Sequence, residues 1–146
     1  MQLDGICPLC KFVDETHQHL FFKCSFSTVV WQHMATKNMI LDMPGSLVEV
    51  LDWYCGQVNG KSLNSISLQC SLAATVYGLW RERNCRIFQG KVMGHDKVMR
   101  SIVADVRDFL SSRRKMKQSL ENQSLCRNWG LSSRIFLPFR FLGSCL

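Results

Sequence analysis

Apolar residues recur at steps of three and four along four stretches of the chain, with polar residues between them. This spacing places the apolar side chains of each stretch on one face of an α-helix. We therefore predict helices over residues 20–37, from Ser46 to about residue 56, from Leu63 to Gly90 and from Asp96 to about residue 110. The pattern predicts an all-α fold with about four helices.

The third predicted helix has the longest apolar stripe. Its members are Leu63, Ile66, Cys70, Ala73, Ala74, Tyr77 and Trp80. We expect this stripe to face the core, with Trp80 as a core anchor rather than as an exposed platform for stacking bases. Gly90 is suited to end the helix, because glycine adopts the left-handed conformation without strain.

Polar residues mark the starts of two other helices. Ser46 with Glu49 three residues later matches a capping box. Asp96 can cap the fourth helix. After Gln118 the helical pattern is lost, and we divide the chain into a cysteine-containing knuckle turn with the first helix (residues 1–40), a helical region (46–118) and an irregular tail (119–146).

Three cysteines and a histidine near the amino end have the spacing of a structural zinc site. Two cysteines separated by two residues can bind one ion, and the set Cys7, Cys10, His19 and Cys24 supplies three sulfurs and one nitrogen. Such a shell is closed and tetrahedral, so it builds structure and leaves no position for a substrate. His17 is an alternative fourth ligand. A redox pair is the other interpretation of the CxxC, but no strand of a βαβ unit precedes Cys7.

Charge is unevenly distributed along the chain. Residues 1–60 carry a net charge of −3, and residues 61–146 carry +10. Phosphate contacts by Lys and Arg supply most non-specific affinity for nucleic acids. Candidate contacts are Arg81, Arg83, Arg86, Arg113, Arg114, Lys115 and Lys117. The alternative is that these cations stabilise helix ends or lie on solvated faces.

The sequence argues against three classes of protein: secreted disulfide-rich proteins, membrane proteins and enzymes. The eight cysteines are not accompanied by an export signal, so a secreted disulfide framework is not indicated. No apolar run reaches the ~18 residues that span a bilayer. We expect an intracellular protein, nuclear or cytoplasmic, without membrane partners. Phosphate-binding glycine loops and convergent catalytic groups are absent from the sequence, so we expect no enzyme activity.

Three stretches resemble the zinc-binding domain that follows the reverse transcriptase of plant LINE-type (non-LTR) retrotransposons. The first matches that family's CxxC, Glu, His-Leu-Phe, Cys and Trp at Cys7, Cys10, Glu15, His19-Leu20-Phe21, Cys24 and Trp31. The second resembles its WxxRNxxxF segment, from Trp80 to Phe88. The third resembles its terminal WGL, at Trp129-Gly130-Leu131.

The resemblance selects His19 over His17 as the ligand. It implies a detached, non-catalytic tail of a retroelement polyprotein that carries structural zinc and assists RNA or DNA binding, without the polymerase. The alternative is a helical protein-interaction piece or a non-functional retrotransposon remnant.

Overall fold

Five α-helices and two short helical turns make up the computed structural model, which describes residues 5–42, 44–57 and 60–137. In chain order the elements are a π-helical turn His19–Lys23, α1 Ser25–Lys37, α2 Leu47–Gln57, α3 Leu63–Gln89, α4 His95–Ser111, α5 Leu120–Trp129 and a 3-10 turn Ser133–Ile135. These described residues form no strand and only two isolated bridges, Ile6 with Asp14 and Met116 with Phe136. The prediction of an all-α fold is confirmed.

Helices α3 and α4 form the most extensive helix pair, and α1 packs against both of them. The two helices approach closely at Gly78, where an added Cβ would lie 2.8 Å from the Cδ1 atom of Ile102. The missing side chain therefore lets Ile102 pack directly on the α3 backbone. The largest fully buried side chains of the core include Leu20, Met34, Leu63, Leu79, Leu110, Leu125 and Trp129.

Two of the predicted helix ends are confirmed, and one is shifted. Ser46 Oγ accepts a hydrogen bond from the backbone N–H of Glu49 at 3.2 Å, which is one half of a capping box. The Glu49 carboxylate accepts the N–H of Gly45 at 2.8 Å in place of the N–H of Ser46. Gly90 follows α3 with a φ of +61°. The N-cap of α4 is Gly94 and not Asp96, which lies in the first turn. There its negative charge still favours the positive end of the helix dipole.

The buried face of α3 differs from the predicted stripe. Tyr77 is 63% exposed and Trp80 is 37% exposed, so the prediction that Trp80 anchors the core is wrong. The face that points inward holds Leu68, Ser71, Thr75, Leu79 and Glu82. Its polar members differ in how they are accommodated. Ser71 Oγ accepts a hydrogen bond from Asn38 Nδ2 at 2.8 Å, whereas Thr75 Oγ1 has no hydrogen-bond partner among the described residues.

One helix lies where none was predicted. Within the segment taken as an irregular tail, residues 120–129 form α5. Ser119 Oγ caps it by accepting a hydrogen bond from the backbone N–H of Asn122, and Gly130 ends it with a φ of +65°. Trp129 is wholly buried, so α5 belongs to the core. The predicted tail also holds the 3-10 turn Ser133–Ile135, and its last residues, 138–146, lie outside the described residues.

Candidate metal centre

The first two cysteines lie on a tight turn closed by backbone hydrogen bonds. Cys7 N–H donates to the carbonyl of Val13, and Lys11 N–H donates to the carbonyl of Cys7, both at 2.8 Å. Lys11 itself has a φ of +62°, which allows the chain to reverse directly after Cys10. The turn thus brings the sulfur atoms of Cys7 and Cys10 to the same side.

The other two ligands come from the π-helical turn. Residues five apart do not share a face of an α-helix, but a π-helical turn closes on an i→i+5 hydrogen bond. Cys24 N–H donates to the carbonyl of His19 at 2.7 Å, which is that bond. Cys24 then has an extended ψ of 134°, and α1 begins at Ser25. The predicted helix over 20–37 is therefore interrupted at the ligand, and the interruption aligns His19 with Cys24.

The four ligand atoms converge. The sulfurs of Cys7, Cys10 and Cys24 and the imidazole of His19 all lie within 4.8 Å of one another. The Cys7 and Cys24 sulfurs are 3.9 Å apart, and Cys10 Sγ is 3.2 Å from His19 Nε2. Zn–S bonds of about 2.3 Å at tetrahedral angles place two sulfurs about 3.8 Å apart. The observed separations suit a four-coordinate ion of this size.

Burial and hydrogen bonding give the two cysteines of the turn different acidities. Burial raises the pKa of Cys7 to about 12. Burial also favours the neutral thiol of Cys10, but hydrogen bonds with the Phe12 backbone and with His19 outweigh it and lower the pKa of Cys10 to about 6. Neighbouring thiolates repel one another, so a bound cation is what allows all three to ionise together. The donor set fits a metal ion.

Side chains from α1 hold the π-helical turn in place. A π-helical turn that ends abruptly leaves carbonyl groups without helical partners. Ser27 Oγ donates to the carbonyl of Leu20, and Trp31 Nε1 donates to the carbonyl of Phe21. The Trp31 ring also stacks on Phe22, with ring centroids 5.9 Å apart. These bonds fix the segment that carries His19 and Cys24.

No family model, curated protein or solved structure matches this chain. In the part of the chain that the structure describes, no helix is both long and apolar enough to cross a bilayer.

A buried ion pair connects the metal turn to α3. Arg83 forms a bidentate contact with Glu15, in which Nη2 lies 3.0 Å from Oε2 and Nε contacts Oε1. The two side chains are 10% and 5% exposed. Arg83 also packs on the ring of Trp80, with 4.9 Å between its guanidinium carbon and the ring centroid. The pair joins residues that are 68 positions apart in the sequence. Glu15 lies between Cys10 and His19, and Arg83 lies in the last two turns of α3.

A second arginine binds the backbone of the CxxC turn itself. Arg86 Nη1 donates to the carbonyls of Pro8 and Leu9, the two residues between the cysteines, at 3.0 Å each. Glu82, one helical turn earlier, pairs with Arg86 at 2.7 Å and accepts the N–H of Met93 at 2.8 Å. We call these two ion pairs, Glu15–Arg83 and Glu82–Arg86, the α3 clamp.

The clamp corrects part of the nucleic-acid prediction. Arg83 and Arg86 are largely buried and neutralised by Glu15 and Glu82, so they position the metal turn instead of facing a phosphate backbone. Of the three arginines predicted near this end of α3, Arg81 alone is exposed.

The basic run after α4 lies mainly at the surface. The guanidinium carbon of Arg113 lies 4.2 Å from the ring centroid of Phe109, a cation–π contact that leaves Arg113 half-buried. Arg114 donates to carbonyls at the end of α4, which fits a helix-capping role. Lys115 and Lys117 are exposed.

The site also separates the two candidate histidines. His19 is the histidine within the cluster, as the resemblance implies. His17 is exposed and lines an apolar groove of about 660 Å³ with Phe21, Leu51, Tyr77 and Trp80.

The two ion pairs of the α3 clamp were not predicted from the sequence. The Glu82–Arg86 pair has the i, i+4 spacing of a helix ion pair and could have been found that way. The Glu15–Arg83 pair carries no such local signal.

Proposed function

We propose that this chain is a non-catalytic module built around a structural zinc ion bound by Cys7, Cys10, His19 and Cys24. The observation that carries the proposal is the convergence of four zinc-type donor atoms within 4.8 Å. Three sulfurs and one nitrogen fill a tetrahedral shell, so the ion has no open position for water or a substrate. Binding would stabilise the fold, because a metal that binds only the folded chain adds its binding energy to folding.

Zinc content of the purified chain tests this proposal with two matched pairs of variants. We expect one zinc per chain, lost in Cys10→Ser and retained in Cys85→Ser, since Cys85 lies outside the cluster. Likewise, His19→Ala should lose the ion and His17→Ala should keep it. Equal zinc content across each pair would show that the cluster does not bind the ion.

The finer proposal is that the module derives from a LINE-type retroelement and helps an enzyme of that class to hold its RNA or DNA. Its supports are the resemblance of three ordered stretches and the net charge of +10 in residues 61–146. The structure adds that the first two stretches contact each other through Glu15 and Arg83. Filter binding of single-stranded RNA tests the nucleic-acid role. Affinity should fall steeply between about 50 mM and about 200 mM salt, and the absence of retention at low salt would refute it.

An apolar groove favours a second candidate function, a helical protein-interaction piece. The groove lined by Phe21, Leu51, Tyr77 and Trp80 is predominantly apolar. Leu51 is 52% exposed, and on the same helix Val48 is 67% exposed. Exposed apolar patches of this kind mark interaction sites on soluble proteins. Sedimentation of the purified chain separates the candidates, because a monomer that binds RNA favours the first and a discrete oligomer that does not bind RNA favours the second.

A further inference from the structure

A groove between α1 and α4 is lined by three cations. Lys37 comes from the last turn of α1, and Arg100 and Arg107 come from α4 two turns apart. The open volume of the groove is about 680 Å³. Asp96, at the start of α4, is the one carboxylate among the lining residues. None of these residues was selected from the sequence as a nucleic-acid contact.

The cations of this groove are not paired with carboxylates, unlike those of the α3 clamp. Lys37 Nζ donates to the carbonyl of Asn128 at 3.1 Å, and Arg107 Nε donates to the carbonyl of Trp129 at 2.7 Å. Arg100 Nε donates to the backbone carbonyl of Asp96 at 3.3 Å. Within the described residues, none of the three cations forms an ion pair with a carboxylate, because these partners are all neutral carbonyl groups.

The carbonyl contacts also fix where the cations lie. Asn128 and Trp129 are the last residues of α5, so Lys37 and Arg107 both bind the negative end of that helix. Two long side chains that are usually mobile are therefore held at the edge of the groove. Held in this way, they lose less conformational entropy when they bind a ligand. The Asp96 carboxylate is itself engaged, since Oδ1 lies 3.1 Å from His95 Nδ1.

We infer that the α1–α4 groove binds the phosphodiester backbone of a single-stranded nucleic acid. This inference rests on the proposed nucleic-acid role and locates it. Arg100 and Arg107 are seven residues apart, about 10.5 Å along the helix, so they can contact different phosphates of one strand. A groove of this volume has the size of a site for one small ligand and accepts a few nucleotides of one strand, not a duplex. Backbone contacts do not read the sugar, so RNA and DNA strands should bind equally well.

The test compares two charge reversals on the same helix. Arg100→Glu removes a groove cation, whereas Lys97→Glu makes the same change in net charge at an exposed α4 position outside the groove lining. Lys115→Glu makes the same change in net charge in the basic run after α4, which is the alternative contact. Arg100 and Lys97 are both exposed, so these variants should fold like the parent, which far-UV circular dichroism and zinc content check. Binding is followed by fluorescence anisotropy with labelled oligouridylate and its DNA counterpart.

We expect the parent chain to show a log–log salt slope of about −2, as three phosphate contacts to a single strand imply. Arg100→Glu should weaken binding about tenfold at 50 mM salt and make the slope shallower by roughly 0.7. Lys97→Glu and Lys115→Glu should change affinity by less than about threefold.

Each other outcome has a distinct meaning. Equal losses in Arg100→Glu and Lys97→Glu would overturn the inference, because the attraction would then be diffuse. A loss confined to Lys115→Glu would also overturn it and move the contact to the basic run, while the proposed function stands. No binding by the parent at low salt would refute the nucleic-acid role itself.

Discussion

Replacing Glu15 with glutamine should destabilise the protein far more than its position in a loop suggests. The substitution keeps the shape of the side chain and removes its charge, so the Arg83 guanidinium stays buried without a carboxylate. Removing one partner of a buried ion pair costs about 3–5 kcal/mol, because the remaining charge is uncompensated. Glutamine can still accept one hydrogen bond from Arg83, so we expect the lower end of that range, about 3 kcal/mol.

Urea unfolding followed by far-UV circular dichroism, with zinc in excess, measures this loss. With a slope of about 1–3 kcal/mol per molar urea, the midpoint should fall by at least about 1 M. The control is Asp14→Asn, which makes the same change of charge at the neighbouring residue. Asp14 is exposed, so its substitution should change the free energy of unfolding by less than about 0.5 kcal/mol.

A double-mutant cycle identifies the cause of the loss. Arg83→Met removes the guanidinium and leaves Glu15 unpaired, whereas the double variant Glu15→Gln with Arg83→Met leaves no buried charge at the pair. The double variant should therefore cost much less than the sum of the single ones. One contrary result is a free energy of unfolding for Glu15→Gln within about 0.5 kcal/mol of the parent value. Another is a double variant whose loss equals the sum of the two single losses. Either result would show that the ion pair does not hold the metal turn on α3.

Two further predictions concern the thiols and the helix crossing. At pH 7 in the metal-free folded chain, iodoacetamide should modify Cys10 before Cys7, because a pKa of about 6 leaves Cys10 ionised and a pKa of about 12 keeps Cys7 protonated. Peptide mass spectrometry checks the order. Below pH 6 the rate of modification at Cys10 should fall about tenfold per pH unit, while the order stays the same. Gly78→Ala should destabilise the chain by about 1 kcal/mol, since overpacking against Ile102 exceeds the gain in helix propensity. In an Ile102→Ala background the same change should stabilise it by about 1 kcal/mol, and a loss in both backgrounds would contradict the account.

The cluster of three cysteines and His19 could be predicted because its signal is local. Cysteines separated by two residues can converge on one ion through a single turn, and His19 and Cys24 lie at the two ends of one helical turn. The sequence did not reveal how ligands five residues apart would align, because the π-helical turn is not encoded by any apolar period. Helix ends with cap residues, such as Ser46 and Gly90, were equally readable.

The inward face of α3 could not be predicted from apolar spacing. Ser71, Thr75 and Glu82 face the core, whereas Tyr77 and Trp80 lie on the exposed side. A hydrogen bond from Asn38, 33 positions away, makes Ser71 tolerable inside, and the ion pair with Arg86 does so for Glu82. Thr75 Oγ1 has no hydrogen-bond partner among the described residues. The α5 helix was missed for a different reason: it is only 10 residues long and has few apolar residues, although its cap residues were present.

The turn between His19 and Cys24 also makes the connection to α1 tolerant of a change in length. If one residue between them were deleted, the π-helical turn could become an ordinary α-turn, because an i→i+5 and an i→i+4 hydrogen bond each close one turn of helix. The histidine and the cysteine would then still lie one turn apart, and α1, which begins after the cysteine, would keep its direction relative to both. Val30 and Met34 should therefore stay buried. The extra residue widens the turn without changing the course of the helix that follows.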